Sequence, residues 1–109
     1  MDDILLVITN APDRAVALKI ARELVEDKLA ACVNVLGDCD SIYYWQGQLE
    51  STREVPVLIK TRAAAYAGVE AAIRKLHPYE LPEIVAVRME RGLPEYLQWV
   101  MAQTSTETS

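Results

Sequence analysis

At 109 residues the chain is long enough for one domain with a hydrophobic core and too short for two. Half of it is apolar, yet no run approaches the roughly 18 to 20 consecutive apolar residues of a membrane span. A net charge of −5, from 11 basic and 16 acidic residues without a basic cluster, argues against nucleic acid or an anionic membrane as partner and leaves cations as the favoured charged species.

The opening MDDILLVITN is acidic and its apolar run short, so it reads as a first strand over residues 4 to 9 rather than a signal peptide, and a cytoplasmic protein is expected. A helix follows. Pro12 suits its first position, Asp13 favours its positive end, and Ala17, Ile20, Ala21, Leu24 and Lys28 recur on one face until the helix ends near Leu29. AACVNVL, residues 30 to 36, has the composition of a second strand. From Ser41 the chain alternates Ile42 and Tyr44 with Tyr43 and Trp45, turns at Gln46-Gly47, and returns through VPVLIKT, where Pro56 predicts a bulge or an edge position. Such a hairpin is longer than one small domain can cover, and an aromatic ribbon apolar on both faces predicts that neighbouring chains pack on it.

Val69, Ala72, Ile73 and Leu76 fall at i, i+3, i+4 and i+7 of a second helix that Pro78 stops. EIVAVRM, residues 83 to 89, reads as a strand with Val85, Val87 and Met89 turned inward. Pro94 starts a short helix with Leu97, Val100 and Met101 on one face, and Trp99 is expected to pack that helix onto the sheet. The order is the β-α-β-β-α-β of a ferredoxin-like α+β sandwich with a long central hairpin and a C-terminal helix. One domain over residues 1–103 is expected, with a disordered polar tail over 104–109.

The single histidine, His77, stands in LHPYELPEI between the second helix and the last strand. It suits a metal ligand or a hydrogen-bonding group in a cleft, because imidazole binds borderline metals well; it equally suits a helix terminator whose ring meets backbone groups. Glu80 and Glu83 are close enough in sequence to join it around an ion, or they are simply solvated carboxylates. Asp38, Cys39 and Asp40 read as an ordinary polar loop bearing a thiol, and the two cysteines lack the spacing of a zinc or redox pair. Cys32 reads as a small buried hydrophobe; a Cys32/His77 nucleophile pair would need an orienting group and an oxyanion site that no motif supplies. Lys60 is placed to meet an anionic ligand or a carboxylate, and the scattered glycines form no phosphate loop.

The words AACVNV, SIYYWQGQLE, VLIKT, HPYELPEI and YLQW, in this order from about Ile4 to Val100, resemble the CutA divalent-cation tolerance family. The resemblance implies a cytoplasmic homotrimer of ferredoxin-like subunits, related in shape to the PII signalling proteins. It also implies an association with copper and other divalent ions without an established enzymatic reaction, and no organic cofactor is evident in the sequence. Carried over by position, it marks Cys32, Trp45, Lys60 and His77; weak divalent-ion binding is then expected at His77, with Glu80, Glu83 and Cys32 as helpers. Thr9 stands where some bacterial members carry a cysteine and Leu76 where they carry a second histidine, which leaves the copper site of those relatives incomplete here. Two other readings remain open. One is a PII-like sensor whose clefts between subunits, walled by Trp45, Lys60 and Tyr79, take a small molecule; the other is a trimeric scaffold.

Overall fold

One strand is longer than the domain it serves. In a computed structural model, which describes residues 2–105, the elements are β1 (Ile4–Ala11), α1 (Arg14–Glu26), β2 (Cys32–Val35), β3 (Cys39–Trp45), β4 (Gln48–Arg62), α2 (Tyr66–Leu76), β5 (Ile84–Arg88) and α3 (Pro94–Gln103). At about 3.3 Å per residue the 15 residues of β4 reach roughly 50 Å, and the molecule measures 50 Å along its long axis against 26 and 23 Å across. The C-terminal half of β4 lies inside an antiparallel sheet of order β2-β4-β1-β5, while the N-terminal half pairs with β3 alone and projects as a two-stranded ribbon. This is the expected ferredoxin-like α+β arrangement, with its second strand divided into β2 and β3.

The division has a local cause. Val35 pairs with Val57 and Cys39 with Glu54, so residues 36–38 face only Val55 and Pro56 and form a bulge. Pro56 has no N–H to give. Its carbonyl accepts from the Leu36 N–H at 3.0 Å, so its nitrogen faces the bulge and the ladder to β1 is undisturbed. The bulge expected at Pro56 therefore lies in the strand opposite it. At the ribbon's tip Gln46 (φ 51°) and Gly47 (φ 79°) are both left-handed, as a two-residue turn matched to strand twist requires.

Alternation along β1 and β4 sends Val7, Val55, Val57 and Ile59 under α1 and α2, where they meet Ile20, Leu24, Val69 and Ile73 in the main core. The opposite face carries Leu6, Ile8, Leu58 and Lys60. There α3 covers only one end, through Ile4, Ala31 and Val100 with Met89, Leu97 and Met101. Val85 and Val87 pair with Ile8 and Leu6 on this open face and are 50% and 52% exposed, so neither turns into the chain's own core as expected; of that trio only Met89 is covered, by α3.

Several boundaries also differ from expectation. Asp13 caps α1, its Oδ1 accepting from the Val16 N–H at 2.9 Å, and so displaces Pro12 to a position before the helix. The helix stops at Glu26, earlier than Leu29, because Lys28 turns left-handed (φ 58°) while Leu29 N–H reaches Leu24 O at 2.9 Å. That turn takes Lys28 off the buried face. Trp99 does not pack α3 on the sheet. Leu97, Val100, Met101 and Thr104 occupy the sheet-facing stripe, and Trp99 falls beside Tyr96 on the next one, its ring 5.5 Å away and 42% exposed. Thr104, read as the first residue of a disordered tail, is buried and donates to Val100 O at 2.8 Å; residues 106–109 of that tail lie outside the described residues.

A lysine in the left-handed region costs about 1 kcal/mol that glycine does not. Lys28→Gly is expected to raise the unfolding free energy by roughly 0.5–1 kcal/mol, measured by urea denaturation, whereas an unchanged or lower value would show that the lysine conformation carries no strain.

Candidate functional site

The LHPYELPEI word begins where α2 ends. His77 N–H closes the helix on Ile73 O at 2.8 Å, and the residue then turns extended (ψ 133°), as a residue before proline must. Its ring is buried at 6% exposure. Nδ1 lies 3.1 Å from the Tyr79 backbone N–H, which can only donate, so Nδ1 accepts. Nε2 therefore carries the proton and donates to Asn10 O at 2.7 Å. Imidazole thus ties the end of α2 to the end of β1, and a metal would have to displace one of these two bonds to reach a ring nitrogen.

The rest of the word is fixed by the same strand end. Thr9, fully buried, donates through Oγ1 to Glu83 O at 2.6 Å, and Asn10 Nδ2 donates to Glu83 Oε1 at 3.2 Å. Glu80 and Glu83 are exposed, and Leu81 between them is 67% exposed. Tyr79 lies half-buried against the imidazole, ring centroids 4.6 Å apart. Burial raises its phenol above the usual pKa of 10.0, and the charges of Glu54, Tyr43 and Asp13 nearby raise it further. Glu54 itself is 7% exposed, a buried carboxylate in β4.

The other anticipated residues lie elsewhere. Cys32 is a free, partly buried thiol opposite Lys60 on β4, whereas the Asn10 carbonyl that holds His77 lies opposite Pro56. Four residues of strand, about 13 Å, separate the two positions. Trp45 closes the ribbon against Gln48, twelve residues and about 40 Å along β4 from Lys60. Trp45, Lys60 and Tyr79 thus cannot line one pocket within a single chain. Asp38 sits in the bulge, but Cys39 and Asp40 belong to β3, with Asp40 paired to Arg53 at 3.6 Å on the surface. Among the described residues no three His, Cys, Asp or Glu side chains come together as a metal-holding group.

Asn10 and Glu54 went unmarked in the sequence, and Thr9 was noted only as standing in place of a cysteine, not as a hydrogen-bonding residue. Thr9 and Asn10 carry a weak signal, being polar residues that close an apolar strand and need partners there. Glu54 carries none, since whether a carboxylate beside Val55 is buried depends on tertiary packing that the local sequence does not state.

Comparison with known proteins agrees with this geometry. A family model described as CutA1 divalent ion tolerance protein matches residues 5–103. A protein named Protein CutA homolog from Xenopus laevis is 48% identical over 91 residues, 84% of this chain and 60% of that protein, so the chain spans about three fifths of this relative. A divalent-cation tolerance protein CutA from Thermus thermophilus is 41% identical over 99 residues, 91% of this chain and 96% of that one. The crystal structure of CutA from Xylella fastidiosa superposes with a TM-score of 0.92 at 43% identity, covering 94% of this chain and 99% of that chain.

Two outcomes test the reading of the word. Loss of both ring hydrogen bonds in His77→Ala is expected to cost about 1–3 kcal/mol of stability in urea denaturation; a loss near zero would show that the ring does not hold the two ends together. Because the Tyr79 pKa is raised in the folded state, its contribution is complete below the unfolded pKa of about 10 and is lost as pH rises past that value. Tyr79→Phe should therefore lose less stability than the parent between pH 9 and 11, and parallel profiles would remove Tyr79 as the cause.

Proposed function

The chain belongs to the CutA1 divalent ion tolerance protein family, and from that membership we propose that it serves divalent-cation tolerance as a self-assembled trimer that meets metal ions weakly at its surface, without a catalytic step. The observation that carries the assembly is the uncovered half of the sheet together with the ribbon. Leu6, Ile8, Val85 and Val87 form an apolar face that no described element covers, and Ile42, Tyr44 and Leu49 on one side of the ribbon are 70%, 73% and 64% exposed. Contiguous apolar surface of this kind marks an interface. A second copy is the economical cover, because a projecting ribbon on one copy and an open face on the next are complementary parts of the same chain. Three copies is the number that the family resemblance implies.

The metal role rests on the family and on charge. Copper or another divalent ion meets a chain of net charge −5 whose Glu80 and Glu83 carboxylates are held out on a loop that His77 anchors from behind. His77 then supports the loop more than it binds the ion, and Cys32 reaches an ion only if copies are brought together. A general-base role for the one histidine has no support, since both ring nitrogens already serve backbone groups. The small-molecule sensor remains the second reading. It requires a neighbouring copy to bring together Trp45, Lys60 and Tyr79, which the single chain holds apart.

One experiment tests both parts. Sedimentation at micromolar concentration is expected to give a trimer, and titration of that sample with copper(II) is expected to show weak saturable binding that Glu80→Gln with Glu83→Gln reduces several-fold. A monomer would remove the assembly. Binding that is unchanged in the double variant but lost in His77→Ala would return the site to the imidazole.

A further inference from the structure

The open face is apolar except at its centre. Val57, Ile59 and Thr61 point into the helix-covered core, so Leu58, Lys60 and Arg62 point the other way, and Lys60 lies between Leu6 of β1 and Cys32 of β2. Neither cation has a counter-charge among the described residues. Among the described residues the only ion pairs are Arg53 with Asp40 and Arg88 with Asp3, both exposed. The Lys60 ammonium has only the Tyr96 ring, 6.0 Å away, at the outer reach of a cation–π contact. Arg62 Nε is enclosed without a hydrogen-bond partner. Two cations without an ion-pair partner among the described residues stand side by side in a chain that carries five more negative than positive charges.

Covering this face removes water from Lys60. A lysine ammonium taken from water without an opposite charge is strongly disfavoured, whereas one that meets a carboxylate is tolerated. Whatever covers the face must therefore bring an anion, and a second copy of an acidic chain has carboxylates to bring. We infer that Lys60 is the receptor for a carboxylate of the neighbouring copy, an ion pair that fixes how one copy sits on the next, with Arg62 beside it reinforcing the positive field. This rests on the assembly proposed above. The apolar surface supplies affinity, and the charge rejects registers that would leave the ammonium buried alone.

Zero-length coupling with a water-soluble carbodiimide reads this contact directly. The carbodiimide adds to a carboxylate to form an O-acylisourea, and a lysine amine in contact attacks its carbonyl carbon, forming the amide and releasing the urea, which carries off the elements of water. The assembled protein is expected to give a dimer-sized product on a denaturing gel whose digest joins the Lys60 peptide to an acidic peptide. Lys60→Arg keeps the charge but cannot be coupled; it should sediment as the parent does and lose that product. A trimer with no Lys60 amide between chains overturns the inference and leaves the assembly standing. So does a Lys60 amide within one chain, or a rise in Tm with citrate that Lys60→Met abolishes, which would assign the counter-charge to a free anion. A monomer in sedimentation overturns the assembly, and the inference with it.

Discussion

Everything in the fold is referred to β4. It pairs along both edges, with β1 on one side and with β2 and then β3 on the other, and so belongs both to the sheet and to the ribbon. Half of it is sheltered and half is not, and this asymmetry is a stability problem. A two-stranded ribbon is marginal in water, and β3 with the first half of β4 forms such a ribbon, apolar side chains standing on both its faces. A continuous strand that is rigid where the helices cover it extends that rigidity into the ribbon, and so presents the ribbon in a fixed direction. A partner can then meet it without the entropy cost of ordering a loop.

The same strand explains what was legible in the sequence. Element types, their order and the turn at Gln46-Gly47 follow from period and turn chemistry, which are local. Which face a strand buries is not local. The period of two puts Val85, Val87 and Met89 on one side of β5, but only the placement of α3, which stops short of Val85 and Val87, decides that two of the three stay uncovered. Trp99 fails for the same reason: the helix it sits on was legible, while the stripe that meets the sheet was set by Leu97, Val100, Met101 and Thr104 together. The misplaced helix boundaries have another origin. Caps such as Asp13 and left-handed stops such as Lys28 are decided by single hydrogen bonds, which a non-glycine residue in the left-handed region conceals.

The candidate site divides along the same line. That His77 ends a helix before a proline was legible; that its ring faces backbone rather than solvent required knowing where β1 ends. Asn10 O and the Tyr79 N–H occupy both nitrogens, and Thr9 fixes the Glu83 carbonyl within the same few residues. A histidine at the most distinctive word of a metal-tolerance family invites the ligand reading, yet hydrogen bonding gives this one a structural role in the single chain. The replacements of Cys by Thr9 and of a second histidine by Leu76, relative to the pattern of some bacterial members, fit that role. Thr9 supplies a hydroxyl donor where a carbonyl needs one, and Leu76 packs against the main core.

Charge and apolar surface are arranged on opposite sides of this problem. The exposed carboxylates of Glu80 and Glu83 stand on a loop whose geometry is fixed from within, so they can meet ions in water without any rearrangement of the core. Lys60 and Arg62 stand instead on the open apolar face, which the proposed assembly would cover, and there the dielectric would fall and every charge would count for more. On the proposed assembly, an acidic chain with two cations unpaired among the described residues on its most apolar surface would not associate there with just any apolar partner, because an apolar partner would leave them stranded. The cations admit a partner that is apolar where the sheet is apolar and anionic where Lys60 emerges, and another copy of this chain offers both.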